Sequence, residues 1–197
     1  MKIKSILLSL LLVISVNTTY ADFNDGYNAY EKGDYKTAFN EWKPLAMQGD
    51  EVAQYNLALM HANGEGVLKD YKEAVKWYRK AAEQGYSKAQ FNLAFLYDDG
   101  KGVLKDDKEA VKWYRKAAKQ GYADAQHNLA LMYVNGEGTL KDLSKAKYWI
   151  KKAYENPDAE TSTVELAKEN WNTFELWKYD VIKDDQPSFS DWLPSFD

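Results

Sequence analysis

The sequence predicts an all-α protein built as a solenoid of stacked helix-turn-helix units, and three observations carry that prediction. AQYNLALM at 53–60 returns as AQFNLAFL at 89–96 and AQHNLALM at 125–132, at intervals of 36 residues. Gly64, Gly100 and Gly136 keep the spacing, as do Asp70, Asp106 and Asp142, and Trp77, Trp113 and Trp149. Such a period means that each unit buries its apolar face only by stacking on the next. Within each copy, apolar residues fall at helical spacing twice. Between those stretches lies a glycine-rich connection that suits a turn and nothing longer.

Taken in chain order, residues 1–21 read as a processing segment. Lys2 and Lys4 precede an apolar run from Ile6 to Ile14 broken only by Ser9, and Thr19-Tyr20-Ala21 offers small residues where cleavage needs them. This is the pattern of a secretory signal peptide cut after Ala21; a membrane-spanning helix needs about 20 apolar residues. The expectation is an exported, most simply periplasmic, product with no membrane insertion after cleavage. Residues 22–49 form a shortened unit, in which Gly33-Asp34-Tyr35-Lys36 and Ala38 align with Lys69-Asp70-Tyr71-Lys72 and Ala74.

Residues 50–157 hold the three full repeats. In the first helix of each, Ala53, Leu57, Met60 and His61 share one face, matched by Ala89, Leu93, Leu96 and Tyr97, then Ala125, Leu129, Met132 and Tyr133. In the second helix Ala74, Trp77, Tyr78 and Ala81 make the apolar stripe, with Lys72, Glu73, Lys76, Arg79 and Lys80 on the wet side. The connections read NGEGVLKD at 63–70, DGKGVLKD at 99–106 and NGEGTLKD at 135–142. Their first glycine is placed to end a helix in the left-handed conformation and their aspartate to cap the next. Asp70 with Glu73 and Asp106 with Glu109 predict capping boxes, whereas Asp142 is followed by Lys145, leaving the third incomplete. A phosphate loop is excluded, because the glycines lack the preceding strand and the Lys-Ser/Thr ending.

The pattern A-Q-x-N-L, G-x-G, D, A-x-x-W and a closing A-A-x-Q-G resembles the Sel-one-like repeat, an α-solenoid relative of the tetratricopeptide repeat, in three copies over 50–157. The unit at 22–49 resembles a tetratricopeptide hairpin. Leu68, Leu104 and Leu140 stand where the family usually has proline, and the disulfide carried by some exported relatives cannot form here, since the chain has no cysteine. The resemblance implies a right-handed α-α solenoid acting as an interaction scaffold, commonly in bacterial envelope or signalling contexts, with first helices lining a concave groove.

Beyond the repeats, Pro157-Asp158 reads as a fresh helix start. Val164, Ala167, Trp171, Phe174 and Trp177 then recur at helical spacing, so residues 158–183 are expected to supply a capping helix over the last repeat, which solenoids require. The same stripe would alternatively serve a partner. Residues 184–197 differ again. Pro187 and Pro194 bar regular structure, aspartates keep the segment polar, and Phe189, Trp192 and Phe196 are large anchors. This tail either folds back on its own solenoid or docks on a partner.

Composition excludes much chemistry. Without cysteine there is no thiolate nucleophile and no cysteine-ligated zinc. The two histidines, His61 and His127, occupy different repeat positions, so no metal site and no cofactor are read from the sequence. Residues 158–197 carry 3 basic against 10 acidic side chains, leaving the body of the chain near neutrality, and nucleic-acid recognition needs a clear positive excess. Ser144 and Lys147 form an isolated Ser-x-x-Lys, without the K-T-G or S-x-N companions that would give it catalytic context. No catalytic residue is assigned.

A protein partner is the expectation. Helical geometry turns Tyr55, Phe91 and His127 off the most buried face at one repeat position, with Asp98 at another, and these vary while packing positions do not. They either recognise a partner or pack between neighbouring helices. Asn56, Asn92 and Asn128 are constant and expected to bond a neighbouring turn. The function read from the sequence is an exported scaffold or adaptor in the bacterial envelope, an immunity-type inhibitor being one form of it. The alternative is a β-lactam- or peptidoglycan-active enzyme, or a muropeptide binder.

Overall fold

A computed structural model describes residues 22–176. The expected signal segment, the tail with Phe189, Trp192 and Phe196, and the last part of the expected capping segment lie outside those residues. The described residues form nine α-helices and no strand: α1 Phe23–Glu31, α2 Tyr35–Gln48, α3 Glu51–Asn63, α4 Tyr71–Glu83, α5 Ser87–Asp99, α6 Asp107–Lys119, α7 Ala123–Asn135, α8 Leu143–Tyr154 and α9 Thr161–Thr173. Each helix packs on its neighbours in the chain, and α9 also reaches α7. The fold is the helical solenoid that the period predicts.

The core runs along the stack. Ala74, Ala110 and Ala146, and Ala81, Ala117 and Ala153, are fully buried, and Tyr78, Tyr114 and Ile150 fill the space beside them. Small and large side chains thus alternate along the core, the pattern by which close-packed interiors are filled. Trp77 stays half-buried, whereas Trp113 and Trp149 are buried. In the short first unit the Trp42 indole Nε1 of α2 donates to the Phe23 carbonyl of α1 at 3.2 Å, and the same side chain shares a buried cluster with Ala53, Leu57 and Met60 of α3, which joins the unit to the stack. Gly26 inside α1 lets that ring approach, since a Cβ there would lie 2.4 Å from the indole nitrogen.

The turns follow the sequence in most respects. Gly100 ends α5 in the left-handed conformation, its N–H bonded to the Leu96 carbonyl. Gly102 answers a second demand. At φ +75° its Cα lies against the first turn of the previous unit's α4, where a Cβ would fall 2.3 Å from the Tyr71 carbonyl oxygen. Asp70 and Asp106 cap α4 and α6, each accepting from two backbone N–H groups.

The expected capping boxes are only half formed. The Asp70 N–H donates to the His61 carbonyl at 2.8 Å and the Asp106 N–H to the Tyr97 carbonyl at 2.9 Å, because the connection folds the cap back onto the end of the first helix. Glu73 and Glu109, whose return bond is thereby displaced, pair with Lys76 and Lys112 instead. At the third connection Lys145 donates its backbone N–H to Asp142 and places its ammonium 2.9 Å from the same carboxylate. The lysine that leaves the box incomplete therefore supports the cap as an ion pair.

After α8 the chain turns before it coils again. Asn156 Oδ1 accepts from the Asp158 N–H at 2.9 Å, and α9 begins at Thr161, three residues beyond the start read from Pro157-Asp158. Ala167 is fully buried, while Trp171 and Phe174 are partly buried against the core. The face presented by α9 thus covers the last repeat.

Candidate partner-binding face

Residues 55, 59 and 62 fall at i, i+4 and i+7 on α3, and the same stripe recurs as Phe91, Phe95 and Asp98 on α5 and His127, Leu131 and Val134 on α7. The structure fills its first row from within. Tyr55 packs between Tyr78 and Tyr86, with ring centroids 5.8 and 5.2 Å away. Phe91 packs between Tyr114 at 5.8 Å and Tyr122 at 5.1 Å. Tyr86 and Tyr122 precede α5 and α7, so each stripe aromatic bridges its own unit to the start of the next. Such pairs add about 0.5–1.5 kcal/mol beyond area burial.

His127 is withdrawn further, at 7% exposure. Its Nε2 lies 2.8 Å from the Asn170 amide nitrogen of α9 and its Nδ1 3.3 Å from Asn128 Oδ1. With the Asn170 amide donating, the ring is neutral and carries its proton on Nδ1. Burial holds its pKa below the ordinary value, against the opposing effects of Asn128 and Asp124. Thr163 of α9 donates its hydroxyl to Asp124, a second polar tie between α7 and α9. His127 thus docks the capping helix.

Asp98 sits half-buried at the end of α5, with Lys105 Nζ 3.8 Å from its carboxylate. Burial raises its pKa; Lys105 opposes the rise, and Asp107 and Glu137 add to it. It belongs to the junction between units.

The asparagines find helix partners rather than turns. Asn92 donates to the Tyr78 hydroxyl and Asn128 to the Tyr114 hydroxyl, both at 3.2 Å. One repeat before Tyr78 stands Trp42, which offers Asn56 no hydroxyl. Sequence reasoning passed over the glutamines beside them. Gln54, Gln90 and Gln126 are buried, and their amide nitrogens donate to the Ala46, Ala82 and Ala118 carbonyls of the preceding unit at 3.0–3.1 Å. Their Oε1 atoms accept from Gln84, Gln120 and Asn156 respectively. The constant Q of the repeat and the Q of its closing A-A-x-Q-G were the available signals.

What remains open on the stripe is its middle row. Phe95 is 45% exposed between the half-buried Leu59 and Leu131, with the Lys101 ammonium 5.8 Å from its ring centroid. Position 95 was legible as a variable site, but spacing alone ranked it no higher than position 91. The loops add Leu68, Leu104 and Leu140, nearly fully exposed.

Of the Ser-x-x-Lys pair, Ser144 is exposed on α8, and the half-buried Lys147 holds its ammonium 5.3 Å from the Trp171 ring centroid. Among the described residues no group of three or more His, Cys, Asp or Glu side chains is placed to hold a metal, and no helix is long and apolar enough to cross a membrane.

The Sel1 repeat family model matches residues 52–86, 87–122 and 123–158. Among solved structures, the chain is similar to a Sel1 repeat protein from Oxalobacter formigenes, at 39% identity and TM-score 0.67, over 70% of this chain and 56% of that one. It is also similar to a protective antigen present in uropathogenic Escherichia coli strains and displaying an SLR fold, at 36% identity and TM-score 0.70, over 77% of this chain and 33% of that one. The chain therefore spans about half the length of the first and a third of the second. Cysteine rich protein B of Helicobacter pylori shares the fold at 19% identity and TM-score 0.54, over 66% of this chain and 96% of that one. No curated protein gives a significant match.

Proposed function

We propose, from the premise that the chain belongs to the Sel1 repeat family, whose members are generally protein–protein interaction scaffolds, that it is an exported adaptor holding a partner protein along the stripe of its first helices. The observation that carries this is the middle row of that stripe. Phe95 is a large aromatic left 45% exposed on a face whose other apolar residues are packed, which is the setting of an interface anchor. The sequence of residues 1–21 supports export and a periplasmic location, where an immunity-type inhibitor is the narrower form of the same role.

Affinity purification from envelope extracts with the tagged chain and with Phe95→Ser tests the reading. A stoichiometric protein captured by the chain and lost with Phe95→Ser, at unchanged melting temperature, supports it. Capture unaffected by the substitution, or binding of muropeptides with no protein partner, sinks it. Mass spectrometry of the exported product, expected to begin at Asp22, checks the processing step.

A further inference from the structure

A cavity of about 420 Å³ opens between α8 and α9, and Lys147, Lys151 and Lys168 line it around Trp171 and Tyr154. It arises where the third repeat departs from the other two. Lys147 stands at the position of Val75 and Val111, both buried in the core. An ammonium has replaced a core methyl group beside an aromatic ring. Among the described residues of the lining, three lysines stand beside one carboxylate, that of Glu155, which lies 3.8 Å from the Lys151 ammonium on the exposed rim. A cationic, aromatic-floored cavity suits a ligand that carries both carboxylates and aromatic rings.

We propose that this cavity is the docking site of the chain's own segment 184–197. That segment holds four aspartates and no lysine or arginine, interleaved with Phe189, Trp192 and Phe196. Its charge and its rings match the lining. Trp171 lies in the wall of the cavity five residues before Leu176, and Asp184 follows Leu176 by eight. Eight extended residues reach about 26–29 Å, enough for the segment to turn back onto α8 and α9. A ligand tethered this closely meets its site at an effective concentration in the millimolar range. Carboxylates from the segment pair with the lysines, while an aromatic anchor stacks against Trp171.

Because the chain has no cysteine, introduced pairs report without interference. In the full chain, Asn172→Cys on the cavity rim is combined with Ser190→Cys, and compared with Leu166→Cys, exposed on another face of α9, combined with the same Ser190→Cys. Mild oxidation followed by mass spectrometry reads the intramolecular disulfide. The expected result is formation at least ten times faster for the Asn172 pair, falling to the control rate when Asp184, Asp185 and Asp191 are all changed to asparagine. Equal rates for the two pairs, disulfide-linked dimers as the main product, or a rate indifferent to the aspartates would each overturn the proposal. The aspartate substitutions lie outside the helical body, and circular dichroism confirms that each variant keeps its helices.

Discussion

Replacing Gly102 by alanine separates two costs that the repeat combines at one residue. At φ +75° an L-residue pays the left-handed penalty, about 1–2 kcal/mol. The new Cβ would in addition lie 2.3 Å from the Tyr71 carbonyl oxygen and 2.4 Å from its carbon, atoms held by the first turn of α4. Backbone cannot rotate aside as a lysine tip can, so the loop must lift from the preceding unit, at an overpacking cost of about 1–3 kcal/mol. Gly85 is the control: its φ is +105°, and a Cβ there would meet nothing within 4 Å. Gly85→Ala is therefore expected to lose only the conformational part, and Gly102→Ala about 1–3 kcal/mol more. Urea unfolding of the two variants and the parent, followed by circular dichroism at 222 nm, gives the difference. Two variants agreeing within about 0.5 kcal/mol would refute the argument that the second glycine is fixed by close approach between units.

Two further outcomes follow from the polar ties along the stack. Gln90 and Gln120, whose amides lie 2.7 Å apart, should show a coupling of about 0.5–3 kcal/mol in a double-mutant cycle with leucine at each position, and additive losses would show that the glutamine ladder does not hold successive units together. Burial keeps the pKa of His127 below its unfolded value, so the unfolded chain takes up the proton first, and stability should fall as pH drops below about 6.5. Asp124 on α7 partly opposes the shift, and α9 presents the neutral Asn170 to the ring. Thermal unfolding between pH 7.5 and 5 should therefore show a shallower loss in His127→Phe than in the parent, with identical slopes as the refuting result; His61, also held low by burial, contributes to both.

Much of the architecture was readable because it rests on local chemistry repeated at a fixed interval. A glycine that ends a helix, an aspartate that starts one and alanines that recur on one face of a helix act within a turn or two of the chain, so spacing reveals them. The stripe was readable to the same extent: the periodicity put Tyr55, Phe91 and His127 on one face but left open what lay opposite. Tertiary structure placed Tyr86 and Tyr122 against the first two, which half-buries them, and α9 against the third. Among the described residues Phe95, one turn further on, has no such ring partner, and only the assembled stack distinguishes it.

Repetition by itself determined the class of fold, the three full repeats and the placement of turns and caps. Which donors and acceptors meet was decided only by the tertiary structure. The cap N–H of Asp70 bonds a carbonyl of α3 rather than Glu73, Gln90 spans two units, and Lys147 faces Trp171 across a helix interface. The physical reason is one of range. Backbone propensity and periodicity are set by residues within a few positions, whereas burial and hydrogen-bond pairing depend on what an adjacent helix brings to the same space, and the helices that meet here are joined by turns whose path no spacing rule specifies.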